Sequence, residues 1–96
     1  MTEAPPVVCA VQIVNRAGLH ARPCHAIVST ALRFGSDLRI RTSVSARSVN
    51  GKSILELMTL EAAQGAELEL SARGADAEAM VAAIAELVRS GFGEER

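Results

Sequence analysis

The sequence predicts an α+β fold: an open-faced sandwich in the order β-α-β-β-α-β-α, with three helices on one face of a four-stranded sheet. Three observations predict it. Leu38 to Thr42 and Ala66 to Ala72 alternate apolar and polar residues, as strands with one wet face do. Around residues 21–32, 52–60 and 76–91, apolar side chains recur three and four apart, the spacing of amphipathic helices. The chain has 96 residues, 49% of them apolar. A domain this small buries roughly 60–65% of its unfolded surface, enough for one core and no second domain.

The elements follow in order. Pro5-Pro6 ends a short leader, residues 1–6. Val7 to Val14 is apolar except for Gln12 and reads as a buried strand, broken by the turn residues Asn15-Arg16-Ala17-Gly18. Cys24, Ile27, Val28 and Ala31 form a helical stripe. Pro23 fits that helix only in its first turn, which sets the start near His20 or Ala21. Gly35 is expected to end it. The strand Leu38 to Thr42 points Leu38 and Ile40 inward and leaves Arg39 and Arg41 in water. After a polar connection, Arg47 to Asn50 is expected to pair with it. Ile54, Leu57 and Met58 mark a short helix, Leu68 and Leu70 the inward side of the last strand. Asp76 is placed to cap a final helix whose apolar face is Met80, Ile84, Leu87 and Val88, ended by Gly91. The expected organisation is one domain over residues 7–91 and a charged tail over 92–96.

Composition excludes several classes. No apolar run approaches the ~20 residues of a membrane span, and the acidic start is not a secretory signal, so neither membrane insertion nor export is expected. Two cysteines are too few for a disulfide framework, which makes the cytoplasm the expected compartment. Aromatic content is 2%, too low for base stacking, and no nucleic-acid partner is expected. Charge is unevenly spread. Residues 1–52 hold seven bases against two acids, a net of +5, and residues 53–96 three bases against nine acids, a net of −6. Such a split fits either a basic docking face or plain solvated surfaces, and the latter is the simpler account.

The segment Asn15-Arg16-Ala17-Gly18-Leu19-His20-Ala21-Arg22-Pro23 carries the chemistry. A glycine turn leaves a strand, and a histidine stands where a helix begins. Free N–H groups and the positive end of the backbone dipole make that helix start an anion site. Arg22 adds a charge-assisted contact of about 1.5–3 kcal/mol. A phosphorylated ring bears negative charge that these groups stabilise. The other reading of His20 is a surface helix cap without chemistry, and the segment alone leaves both open.

Gly18-Leu19-His20-Ala21-Arg22-Pro23 resembles the active-site signature of the HPr family, the histidine phosphocarriers of the bacterial phosphoenolpyruvate-dependent phosphotransferase system. Val49 to Leu60 resembles the family's regulatory serine segment, and Gln64 to Asp76 its last strand and the turn into its final helix. The resemblance spans about Val7 to Leu87. It implies that His20 is phosphorylated on Nδ1 by enzyme I and passes the group to acceptors of the enzyme IIA class. Arg22 and the backbone N–H groups of Ala21 and Arg22 would hold the phosphoryl group. Ser53 matches a serine that a dedicated kinase modifies, with a matching phosphorylase, in some branches. It also reads as an N-cap and nothing more. Leu19, Ile54, Leu55 and Met58, rimmed by Arg22, Arg33 and Lys52, would form an apolar docking patch. A carrier that is recharged in each cycle is not an enzyme. It needs no cofactor, and a monomer is the expected state.

The chain departs from the family in three places. The connection from Thr42 to Arg47 is longer and lacks a glycine turn, Glu61 stands where glycine is frequent, and Cys24-His25 replaces small residues. His25 reads as a helix-surface residue. The alternative within the family is a mainly regulatory member, in a nitrogen-related branch or acting through Ser53. The alternative outside it is a metal site from Cys9, His20, Cys24 and His25, against which both cysteines fit apolar stripes. No metal is therefore expected.

Overall fold

A computed structural model describes residues 4–96; of the leader, residues 1–3 lie outside the described residues. The order is β1 (Val7–Gln12), α1 (Ala21–Ala31), β2 (Asp37–Thr42), β3 (Val49–Asn50), α2 (Ile54–Met58), β4 (Glu67–Arg73) and α3 (Ala77–Arg89). A 3-10 turn over Gly91–Gly93 follows. The strands form one antiparallel sheet in the order β1-β4-β2-β3. This is the expected α+β open-faced sandwich.

Register explains the core. Val7, Cys9 and Val11 on β1 stand opposite Ala72, Leu70 and Leu68 on β4, which stand opposite Leu38, Ile40 and Thr42 on β2. Successive side chains of a strand point to opposite faces, so these rows share the inner face. α3 covers β1 and β4 with Met80, Val81, Ile84 and Val88, and α1 packs on α3 through Cys24, Ile27, Val28 and Ala31. α2 sits apart from the sheet's centre, on α1 and β3.

Four local expectations need correction. The first strand reads as buried, yet it is an edge strand with one wet face, and Val8 is 54% exposed. Arg41 is not simply solvated: its guanidinium makes a bidentate pair with Glu69 across β2 and β4, at 3.1 and 2.9 Å. Helix α1 closes at Leu32, before Gly35, whose N–H donates to Asp76 instead. Asp76 occupies the N-cap position of α3 but its side chain makes no capping bond there. Its carboxylate accepts from the N–H groups of Gly35 and Ser36, at 2.9 and 3.0 Å, and from the Ser36 hydroxyl, tying the α1–β2 loop to α3. These donors hold the Asp76 carboxyl below the usual aspartate range, the Ser36 hydroxyl most of all.

Three bases of the first half meet acids of the second. Arg16 pairs with Glu95, Arg22 approaches Glu94, and Arg41 pairs with Glu69. Each joins a base of the first half to an acid of the second, because the topology folds β4 and the C-terminus onto the first half.

Candidate functional site

The site is built on the connection from β1 to α1. Gly18 turns with φ +70°, and a Cβ there would lie 2.7 Å from the Ala62 carbonyl oxygen. That same carbonyl accepts from the Leu19 N–H at 2.9 Å, which fixes the path of the chain into the helix. Leu19 is buried, so the chain between Gly18 and His20 is anchored from below.

His20 takes the N-cap position of α1 with extended backbone, but its side chain makes no capping bond. The reading of His20 as a plain cap therefore fails. Its ring instead meets Glu94, with Nε2 3.0 Å from both carboxylate oxygens. An ionised carboxylate only accepts, so Nε2 carries the hydrogen, and in the neutral ring Nδ1 is left with the lone pair. Among the described residues Nδ1 has no hydrogen-bond partner.

Glu94 comes from the tail that the sequence leaves as a charged end. Gly91, Phe92 and Gly93 have φ of 69°, 57° and 72°, a left-handed reversal that turns residues 94–96 back over the β1–α1 turn. Two glycines make that run accessible, and Phe92 takes the same region at a cost. The Arg16 N–H then donates to the Glu95 carbonyl at 2.8 Å. Asn15, fully buried, donates through Nδ2 to the Gly18 carbonyl and to Glu94, at 2.9 and 3.1 Å. The hydrogen bond from His20 lowers the Glu94 carboxyl below its usual range. The Asn15 amide and the charges of His20 and Arg22 add to this, and partial burial opposes it.

Together these groups frame an open cleft of about 390 Å³ lined by Arg16, Ala17, His20, Arg22, Glu94 and Glu95. Arg22 is 77% exposed, its Nε 3.7 Å from Glu94. The N–H groups of Ala21 and Arg22 lie in the first turn of α1, where no helical carbonyl precedes them. The His20 ring and the exposed Arg22 guanidinium thus line one opening at the start of α1, an arrangement that suits an anion.

The other expected residues fall out differently. Leu55 and Met58 are exposed on α2, at 80% and 41%. Leu19, expected in the docking patch, is only 5% exposed and belongs to the core, because it points under the turn. Ile54 is half-buried against that core, and Leu57 is wholly inside. Lys52 is also half-buried, and its Nζ donates to the Phe34 carbonyl at 2.8 Å. Ser53 caps α2: its hydroxyl accepts from the Glu56 N–H at 3.2 Å. His25 is exposed on α1. Cys24 is buried, which pushes its thiol up to about 11, and no three His, Cys, Asp or Glu side chains cluster for a metal among the described residues. Asn15 and Glu94 are the site residues that sequence reasoning missed. Only the Gly91-Phe92-Gly93 triplet hinted at a chain reversal.

Residues 7–90 match the family model described as the PTS HPr component phosphorylation site. The phosphocarrier protein HPr of Treponema pallidum is 43% identical over 90 residues, 93% of this chain and 99% of that protein. The crystal structure of HPr-C-His from Thermoanaerobacter tengcongensis superposes with a TM-score of 0.86 at 39% identity, over 94% of this chain and 99% of that one. A multiphosphoryl transfer protein of Escherichia coli O157:H7 is 36% identical over 81 residues, 83% of this chain and 22% of that longer protein. The chain belongs to the HPr family, the phosphocarrier proteins of the phosphotransferase system.

Proposed function

We propose that this chain accepts a phosphoryl group on Nδ1 of His20 from phosphorylated enzyme I and passes it to enzyme IIA-type acceptors. One observation carries the reading: Glu94 accepts a hydrogen bond from the Nε2–H of His20, which leaves the ring's lone pair on Nδ1 at the start of α1. In the transfer a P–N bond forms at Nδ1 as the bond to the donor's nitrogen breaks. Arg22 and the N–H groups of Ala21 and Arg22 hold the phosphoryl oxygens. Leu55 and Met58 supply an exposed apolar surface for partners on α2, the helix that packs against α1. That a related stretch forms part of a multiphosphoryl transfer protein is consistent with passing the group along a chain of carriers.

Ser53 is proposed as a regulatory site on the same surface. A phosphate at the first turn of α2 is compatible with the helix start and would add about −1.5 to −2 charge where acidic partners approach.

The test is intact mass after incubation with phosphoenolpyruvate, magnesium and enzyme I, then again after mild acid. One phosphate, removed by acid and absent from His20→Ala, is expected. Phosphate retained by His20→Ala would move the acceptor elsewhere.

A further inference from the structure

Glu94 bears on the second half of the cycle, the release of the phosphoryl group. When Nδ1 attacks phosphorus while Nε2 keeps its hydrogen, the product ring is a phosphoimidazolium. When the P–N bond then breaks, its electron pair returns to Nδ1 and the leaving group is neutral imidazole. If the Nε2 hydrogen has been lost, the leaving group is imidazolate, a far poorer one. Transfer onward therefore depends on keeping one hydrogen on the nitrogen that faces away from the phosphoryl group.

The structure holds that nitrogen against a carboxylate. Both oxygens of Glu94 lie 3.0 Å from Nε2, and the Glu94 side chain is only 12% exposed. The carboxylate is itself fixed by the amide of the buried Asn15, whose Nδ2 donates to both the Gly18 carbonyl and Glu94. The left-handed run at Gly91, Phe92 and Gly93 and the Arg16–Glu95 pair hold the tail in place. The charged groups around the ring are Glu94 on Nε2, Arg22 at 3.7 Å from that carboxylate, and Arg16 and Glu95 at the cleft's edge.

We propose that Glu94 is a positioning residue that retains the Nε2 hydrogen on phosphorylated His20 and so keeps the phosphoryl group ready to leave. The proposal rests on His20 Nδ1 being the acceptor. It adds a role for a residue outside the signature segment and for the C-terminal reversal that delivers it.

The test compares the full chain with Glu94→Gln, whose amide oxygen still accepts from Nε2 but carries no charge. Both are phosphorylated with enzyme I and freed of it. Spontaneous loss of phosphate is then followed by phosphorus NMR from pH 5 to 9, with ring-nitrogen shifts recording the Nε2 hydrogen. In Glu94→Gln the pH at which the hydrogen is lost, and with it the fall in dephosphorylation rate, is expected to move down by about one unit. That corresponds to roughly tenfold slower loss at the plateau of the shift. Glu94→Asp is expected to recover part of the shift. Coincident profiles in the two proteins would overturn the proposal while leaving the acceptor assignment intact. Absence of acid-labile phosphate on the unaltered chain would overturn both.

Discussion

Gly18 and Ala62 approach so closely that a Cβ on the glycine would sit 2.7 Å from the Ala62 oxygen, well inside contact distance. The approach lets one carbonyl brace the turn that aims His20. Gly18→Ala adds this clash to a φ of +70°, each unfavourable by about 1 kcal/mol or more. A loss of about 2 kcal/mol is expected, lowering Tm by roughly 8–16 °C in a domain of this size. Thermal unfolding followed by circular dichroism checks it, and an unchanged Tm would mean that the turn relaxes freely.

The division between core and docking surface is equally testable. Leu19→Ala removes a buried side chain and is expected to destabilise by about 2–5 kcal/mol. Leu55→Ala changes an exposed one and should stay within about 0.5 kcal/mol while slowing phosphorylation by enzyme I. Urea unfolding and a transfer assay on both variants separate the two roles. Equal stability of the two variants would contradict the placement of Leu19.

Ser53→Asp keeps an N-cap and adds charge, so stability should be almost unchanged. Acceptance from enzyme I should fall, by a rise in KM more than a drop in kcat. An unaltered KM would reduce Ser53 to its cap.

Acid should loosen the two carboxylate ties. Asp76 and Glu94 both titrate below their usual values in the folded chain, 3.8 and 4.5 being those of the unperturbed groups. The unfolded chain then binds protons first as pH falls, so unfolding takes up protons and stability declines. Their contribution is complete above about pH 5.5 and fades as pH drops through the lowered values. Asp76→Asn should flatten part of that decline in urea unfolding between pH 6 and 3. An unchanged slope would show that other carboxyls set it.

Glu61 occupies the left-handed region, with φ 51°, in the turn just before Ala62. Glu61→Gly is expected to stabilise by about 0.5–1 kcal/mol, relief of strain outweighing the added freedom of the unfolded chain. A lowered Tm would reverse that balance.

Much of this was legible from local patterns. Alternation at Leu38 and Ile40 gave the inward face of β2, Pro23 set the start of α1, and Ser53 announced a cap, because each depends on neighbours in sequence. The contact of Glu94 with His20 joins residues 74 apart, and no local pattern encodes it. Apolarity alone also misled. Val8 is as hydrophobic as Val11 but faces water, since an edge strand covered on one side does not use its second face. Leu19, inside the signature segment, looked like part of the working surface and proved to be its footing.

The sheet order has a bearing on how the molecule comes into being. β4, residues Glu67–Arg73, lies between β1 and β2, so neither of those strands has the other as a neighbour. Until β4 is available, β2 with β3, two residue pairs long, is the only native strand pairing open to the described residues. A chain emerging from the ribosome thus carries β1 and α1 for most of its synthesis without the surface that orders them. Of the sheet's strands, the one that organises it is made last, and the segment that reaches His20 follows it, so the site is complete only once Glu94 has emerged.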